Sequence, residues 1–292
     1  TASHDLSFFL GDRPRVLLRK EIGTGRPVFS TAAAKSASDR IAWLNSALNG
    51  EVLVAETHAL FDKTIPRDAF SDSVIRVEKG RLSFRDELIS GLIKSGYTLT
   101  DFVQNEGEIS RRGSIVDVFS PGSGYPVRLE YIGDEIGSIR QFSLETQKST
   151  DRVESAELLP ASEIIMETEP LGRAVEYLKK RAGESGVTAR EKIPFIEDIE
   201  SGIRVQNIEW LLPAFYPEPG SALDFLPEDA LLITEDAEYS PRSVERWRES
   251  LGLTKNFLTR NIKIAPGIDE LYFAEEEVRG SAGMFRNILI HD

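Results

Sequence analysis

Apolar residues recur along the chain in two rhythms, and the change from one to the other divides it. Over the first seventy residues the rhythm alternates between short apolar runs and helical spacing. Arg15–Leu18, Pro27–Phe29 and Val52–Ala55 read as strands, the last being a compact run of the kind buried in a parallel sheet. Between them, Ser38–Leu48 places Ile41, Leu44, Ala47 and Leu48 on one helical face, and Asn49-Gly50 supplies a stop signal. From Val74 the pattern changes. Val74–Gly80 reads as a strand, and Ser83 with Asp86 makes a capping-box pattern. Leu88, Ile89, Leu92 and Ile93 then line a helix that Gly96 ends.

Between Gly107 and Phe142 the period drops to two, which predicts three short strands joined by tight turns. In Pro126–Ile132, Val127, Leu129 and Tyr131 share one face, while Arg128, Glu130 and Ile132 share the other. If the first face packs on the preceding helix, the second is open, and Ile132 stands there as an exposed apolar residue flanked by charge. Arg112, on the preceding strand, joins the same surface if the two strands form a hairpin through Pro121–Gly124. This stretch is a better docking surface than active site. From about Ser155 the α/β pattern returns. Leu158–Glu163 reads as a linker back into the first domain, and Leu171–Ala182 and Ile193–Ile203 have helical spacing. Trp210–Pro217 is an aromatic core plug, Leu231–Thr234 a buried strand, and Ser240-Pro241 the cap of a helix running to about Leu251.

Composition narrows the function classes. At 292 residues the chain exceeds one average domain, and 40% hydrophobic residues suffice for a full core. The net charge of −13 repels a polyanion, so nucleic-acid binding would need a local basic patch working against the overall field. The absence of cysteine excludes disulfides, thiolate catalysis and cysteine zinc sites, and agrees with a reducing cytoplasm. His4, His58 and His291 have no ligand spacing, so no metal site is expected. His58 follows a strand, where α/β folds place ligand loops, yet a lone histidine there is more often structural. No apolar run spans a bilayer and no signal pattern opens the chain, which predicts a soluble, cytoplasmic protein.

Catalytic motifs fail on their chemistry. Gly23 and Gly25 invite a phosphate-loop reading, but Arg26-Pro27 stands where that loop needs lysine and a hydroxyl residue. Leu231–Asp236, LLITED, resembles a Walker B strand with its acids in the order Glu235-Asp236, and no Walker A lysine accompanies it. Asp134-Glu135 and Glu275–Glu277 lack a partner base, and no Gly-x-Ser-x-Gly elbow occurs. The residues make no case for an enzyme. Arg112 and Arg128 therefore carry two readings: solvated sheet residues in ion pairs worth at most about 1 kcal/mol, or interface anchors beside a central apolar residue.

Four successive segments carry a resemblance. Gly107–Phe119, Pro126–Ile136, Ile139–Phe142 and Thr146–Ser149 closely resemble the UvrB-homology module of the bacterial transcription-repair coupling factors, with further matches at Leu158–Glu163, Asn207–Tyr216 and Leu223–Asp229. The resemblance runs from about Val52 to Asp236. It implies a degenerate RecA-like parallel-sheet domain in two segments, residues 1–73, shortened at the front, and 158–292, interrupted at 74–157 by a small α+β insert with an antiparallel sheet. The family's insert binds UvrA, and the positions that make that contact fall on Arg112, Arg128 and Ile132, where the family usually has phenylalanine in place of isoleucine. Its module has lost ATPase function, so no cofactor is implied here. ATP and magnesium belong to the translocase motor, and RNA polymerase and DNA are engaged by other parts of the parent protein. The competing reading is UvrB itself, an ATP-dependent damage-loading helicase. That protein would carry Gly-Lys-Thr/Ser and a tyrosine-rich hairpin ahead of the insert, and neither is present.

Overall fold

A computed structural model describes residues 15–17, 31–184, 189–205, 208–235, 248–249, 251–252, 254–256 and 264–290. In chain order the elements are β1 (Arg15–Leu17), α1 (Thr31–Leu48), β2 (Leu53–Ala55), α2 (Arg67–Ser73), β3 (Ile75–Glu78), α3 (Arg85–Lys94) and β4 (Thr98–Leu99). The strands β5 (Glu108–Arg112), β6 (Ile115–Phe119), β7 (Val127–Ile132), β8 (Glu135–Phe142), β9 (Ser149–Val153) and β10 (Ser155–Leu158) follow. Then come α4 (Thr168–Glu184), α5 (Ala189–Glu200), α6 (Leu212–Phe215), β11 (Leu231–Glu235), α7 (Ile268–Leu271), α8 (Glu275–Ala282) and β12 (Arg286–Ile290). The architecture is mixed α/β, with parallel and antiparallel strands in several sheets. No helix among the described residues is long and apolar enough to cross a membrane.

Two compact units divide the chain. One comprises Thr31–Ala42 with Asp68–Glu167, the other Thr1–Ser30, Trp43–Arg67 and Thr168–Asp292. The insert boundaries drawn at 74 and 157 both fall inside the first of these.

That unit is built on a six-stranded sheet ordered β4-β5-β6-β7-β8-β9, antiparallel throughout except for the parallel β4–β5 pair. Alternation sorts its side chains by face. Ile109, Val116, Val118, Val127, Leu129, Tyr131, Ile136 and Ile139 point to one side and form a core with Leu88, Ile89 and Leu92 of α3 and with Val77 and Leu158 of the paired strands β3 and β10. Gly107–Phe142 holds four strands, one more than its periodicity suggested, because Gly113 turns β5 back onto β6 with a backbone φ of 60°. Ser83 does not cap α3: the N-cap is Phe84 with no side-chain bond, and the Ser83 hydroxyl lies 3.3 Å from the Tyr131 hydroxyl instead. Ile93 is partly exposed, so the apolar face of α3 is narrower than expected. Gly96 does end the helix. Its φ of 100° lets the Tyr97 N–H reach back to the Leu92 carbonyl, closing the last turn.

In the other unit β1 and β2 pair in parallel, as do β11 and β12. Trp210, Leu211, Leu212, Phe215 and Tyr216 are buried as a plug, and Phe195 of α5 stacks on Trp210 at 5.7 Å between centroids. α5 stops at Glu200, short of the exposed Ile203. Leu231 and Ile233 are exposed rather than buried, because the only strand beside β11 among the described residues is β12 and one strand pair cannot cover its own faces. β2 is likewise only half-buried. Pro27–Phe29, Gly23, Gly25 and the expected Ser240-Pro241 helix start lie outside the described residues.

Candidate functional site

The second face of the six-stranded sheet, opposite the α3 core, is where charge collects. Its organising residue is Asp117, at the middle of β6 and fully buried. Register places Asp117 opposite Ser110 on β5 and opposite Arg128 on β7. Arg128 donates from Nε to Asp117 Oδ1 at 2.7 Å and from Nη2 to Oδ2 at 2.8 Å, a two-pronged fork. Arg112, at the end of β5, donates from Nη2 to the same Oδ2 at 2.5 Å. A single carboxylate thus holds both arginines from the strand between them. Arg112 is not on the strand next to Arg128 as the sequence suggested; β6 intervenes and supplies the acid that joins them.

Each guanidinium also covers a ring. Arg128 lies 4.7 Å from the centroid of Phe142, and Arg112 lies 5.0 Å from that of Phe102. Phe142, Phe119 and Val103 form a small second core on this side of the sheet. Arg128 Nη1 donates further to the Gln147 carbonyl at 3.2 Å, and Gln147 takes a left-handed φ of 58° in the turn that presents that oxygen. The hydrogen bond to Asp117 raises the Arg128 pKa above the ordinary arginine value, against the opposing effect of partial desolvation, so its charge is permanent. The result is two cations of different access, Arg112 38% exposed and Arg128 only 12%.

Ile132 lies on the same face at the far end of β7, 75% exposed. Its side chain lies across Gly137 of β8, where a Cβ would come within 2.6 Å of Ile132 Cδ1. The glycine therefore sets how the isoleucine presents itself. Leu82, also exposed, bridges to Glu135, the residue that Ile132 faces in register. All three residues singled out in the sequence thus share one face, with Ile132 at its apolar end. Asp117, Gly137 and Leu82 escaped that reading. Of these, Asp117 left a signal, a lone carboxylate inside the apolar run Ile115–Phe119.

Of the acidic candidates, Glu135 lies at the apolar end of this face, opposite Ile132 in register. His58 sits in a 3-10 turn, Thr57–Phe61, and Glu235 ends β11, both in the other unit, while Asp236 lies outside the described residues. The sheet face offers fixed guanidinium groups, flat rings and an aliphatic knob, which suits recognition of a protein surface.

Comparison with known proteins bears on which surface. A family described as the UvrB interaction domain matches residues 75–164, which take in the whole six-stranded sheet. The transcription-repair-coupling factor of Myxococcus xanthus is 30% identical across 97% of this chain and 25% of its own length. This chain is a module of the transcription-repair-coupling factor type. The coupling factor of Haemophilus influenzae is 29% identical over 76% of the chain and 20% of its own length, and that of Escherichia coli K12 is 30% identical over 65% and 16%. The coupling-factor module thus spans a quarter or less of the length of these curated relatives.

Proposed function

We propose that this coupling-factor module recruits the excision-repair protein UvrA, through the open sheet face that Arg112, Arg128 and Ile132 share. The observation that carries the reading is the clamp at Asp117. A buried acid fixing two guanidinium groups beside an exposed aliphatic side chain is a built recognition surface, and it falls inside the span matched by the UvrB interaction domain. The other unit serves as a degenerate RecA-like scaffold without ATP hydrolysis, a reading favoured by its parallel pairs β1–β2 and β11–β12. The parent protein works in the cytoplasm, where its remaining parts engage RNA polymerase and DNA and spend ATP, and this module brings UvrA to a polymerase stalled at a lesion.

Titration of purified UvrA into the module tests the proposal. Charge reversal at Arg128 is a poor probe, since it would set a second carboxylate against the buried Asp117. Ile132→Asp and Arg112→Ala are better, because Ile132 touches solvent and Asp117 keeps the Arg128 fork when Arg112 is gone. Each is expected to weaken UvrA binding at least about tenfold, a loss of about 1.4 kcal/mol, with Ile132→Asp leaving the melting temperature unchanged. Wild-type affinity in both variants would refute the docking face, and ATP hydrolysis by the module would refute the scaffold.

A further inference from the structure

The open face continues past Arg128. Register sets Arg128 on β7 opposite Arg140 on β8, and Arg140 opposite Arg152 on β9. Val153, the neighbour of Arg152, packs against the α3 core opposite Ile139, so Arg140 and Arg152 both turn to the open side. Three arginines therefore stand in one row across three adjacent strands. Directly opposed like charges destabilise a sheet, and this row receives little relief. Arg128 spends its fork on Asp117. Arg140 has a carboxylate only at 3.7 Å, from Glu130, which accepts a hydrogen bond from Ser138 at 2.5 Å. The buried Nε of Arg140 finds no hydrogen-bond partner, and Arg152, at the exposed edge strand, has no ion pair among the described residues.

We infer that Arg140 and Arg152 form a second, anion-receiving half of the docking face, which takes a carboxylate-bearing segment of UvrA. This rests on the recruitment reading and extends it: the aliphatic end at Ile132 and the clamped pair at Asp117 orient the partner, while the uncompensated arginines select its acidic residues. Charge complementarity singles out a protein carboxylate rather than a nucleic-acid backbone. The row is short, Glu130 and Asp117 stand beside it, and the molecule's net charge of −13 opposes a polyanion. An acidic side chain can enter such a local cationic strip, forking onto two guanidinium groups at once.

The test titrates UvrA into wild-type module, Arg112→Ala, Arg152→Gln and Arg152→Glu at two salt concentrations, with a melting curve for each. Arg152→Glu puts a carboxylate opposite Arg140, so its melting temperature should hold or rise while its UvrA affinity falls at least about tenfold. Arg152→Gln should lose less affinity and show a shallower salt dependence than wild type. A merely solvated arginine would leave both affinity and salt dependence unchanged, and that result overturns the inference. If wild type fails to bind UvrA, the recruitment reading falls and the inference with it. If wild type binds and Arg112→Ala weakens binding while both Arg152 variants bind normally, only the inference falls. Loss of duplex-DNA retention in Arg152→Glu with UvrA affinity intact would assign the row to nucleic acid and also overturn it.

Discussion

Asp117→Asn isolates the clamp, because asparagine keeps the shape of the side chain and removes its charge. The native carboxylate accepts three charge-assisted hydrogen bonds with no exposure to solvent. Asparagine offers one oxygen and turns an NH2 group toward donors. Breaking a buried pair costs about 3–5 kcal/mol, but both guanidinium groups reach some water here, which moves the expectation to about 2–3 kcal/mol. For a unit of about 100 residues each kcal/mol lowers the melting temperature by about 4–8 °C, so Asp117→Asn should melt about 10–20 °C below wild type. Calorimetry measures this directly, and urea unfolding followed by circular dichroism checks that the transition remains cooperative. Arg128→Met made in the Asp117→Asn background should cost far less than Arg128→Met alone, since the acid it would orphan is already neutral. A drop smaller than about 3 °C, or additive costs in the double variant, would refute the clamp as an energetic unit.

Gly137→Ala should leave stability nearly unchanged, since the close contacts of the Cβ are with Cδ1 and Cγ1 of an exposed isoleucine side chain that can turn away, and the Glu130 carbonyl at 3.5 Å is in ordinary contact. The reoriented Ile132 weakens UvrA binding, and equal affinity in titration would show that the orientation is immaterial. Tyr97, fully buried and donating to the Leu159 carbonyl at 2.6 Å, has its ionisation pushed by burial well above the ordinary 10.0. The unfolded chain ionises this phenol first, so its contribution to stability is complete below pH 10 and is lost as pH rises beyond that. Tyr97→Phe should cost about 1–3 kcal/mol at neutral pH and flatten the alkaline loss, read from denaturant midpoints between about pH 8 and about pH 11. An unchanged alkaline slope would refute that assignment.

The alternation in Val127–Ile132 was legible because strand geometry is local: a period of two sorts faces without knowing the neighbours. What the neighbours do was not legible. Asp117 stands out in an apolar run, yet its partners lie 5 residues before it and 11 after, and only the strand pairing brings them together. Ser83 matched a capping pattern, but the same hydroxyl serves equally well as a tertiary hydrogen-bond group, and Tyr131 lies within its reach. The run Leu231–Thr234 has the composition of a buried strand, and composition does not say how many strands lie beside it. Ile132 was expected to be exposed and is. Its reliance on Gly137 arises from the irregular β7–β8 pairing, which no local pattern carries.

The strands β5 to β9 lie side by side in the order in which they leave the chain. Every pairing in this meander closes a short loop, and the clamp itself joins residues 5 and 11 positions apart. Low sequence separation favours rapid folding and keeps unpaired strand edges short-lived. The face read here as a docking surface can therefore zip up hairpin by hairpin as it is synthesised, with the Asp117 carboxylate neutralised early by the neighbouring strands rather than late by a distant segment.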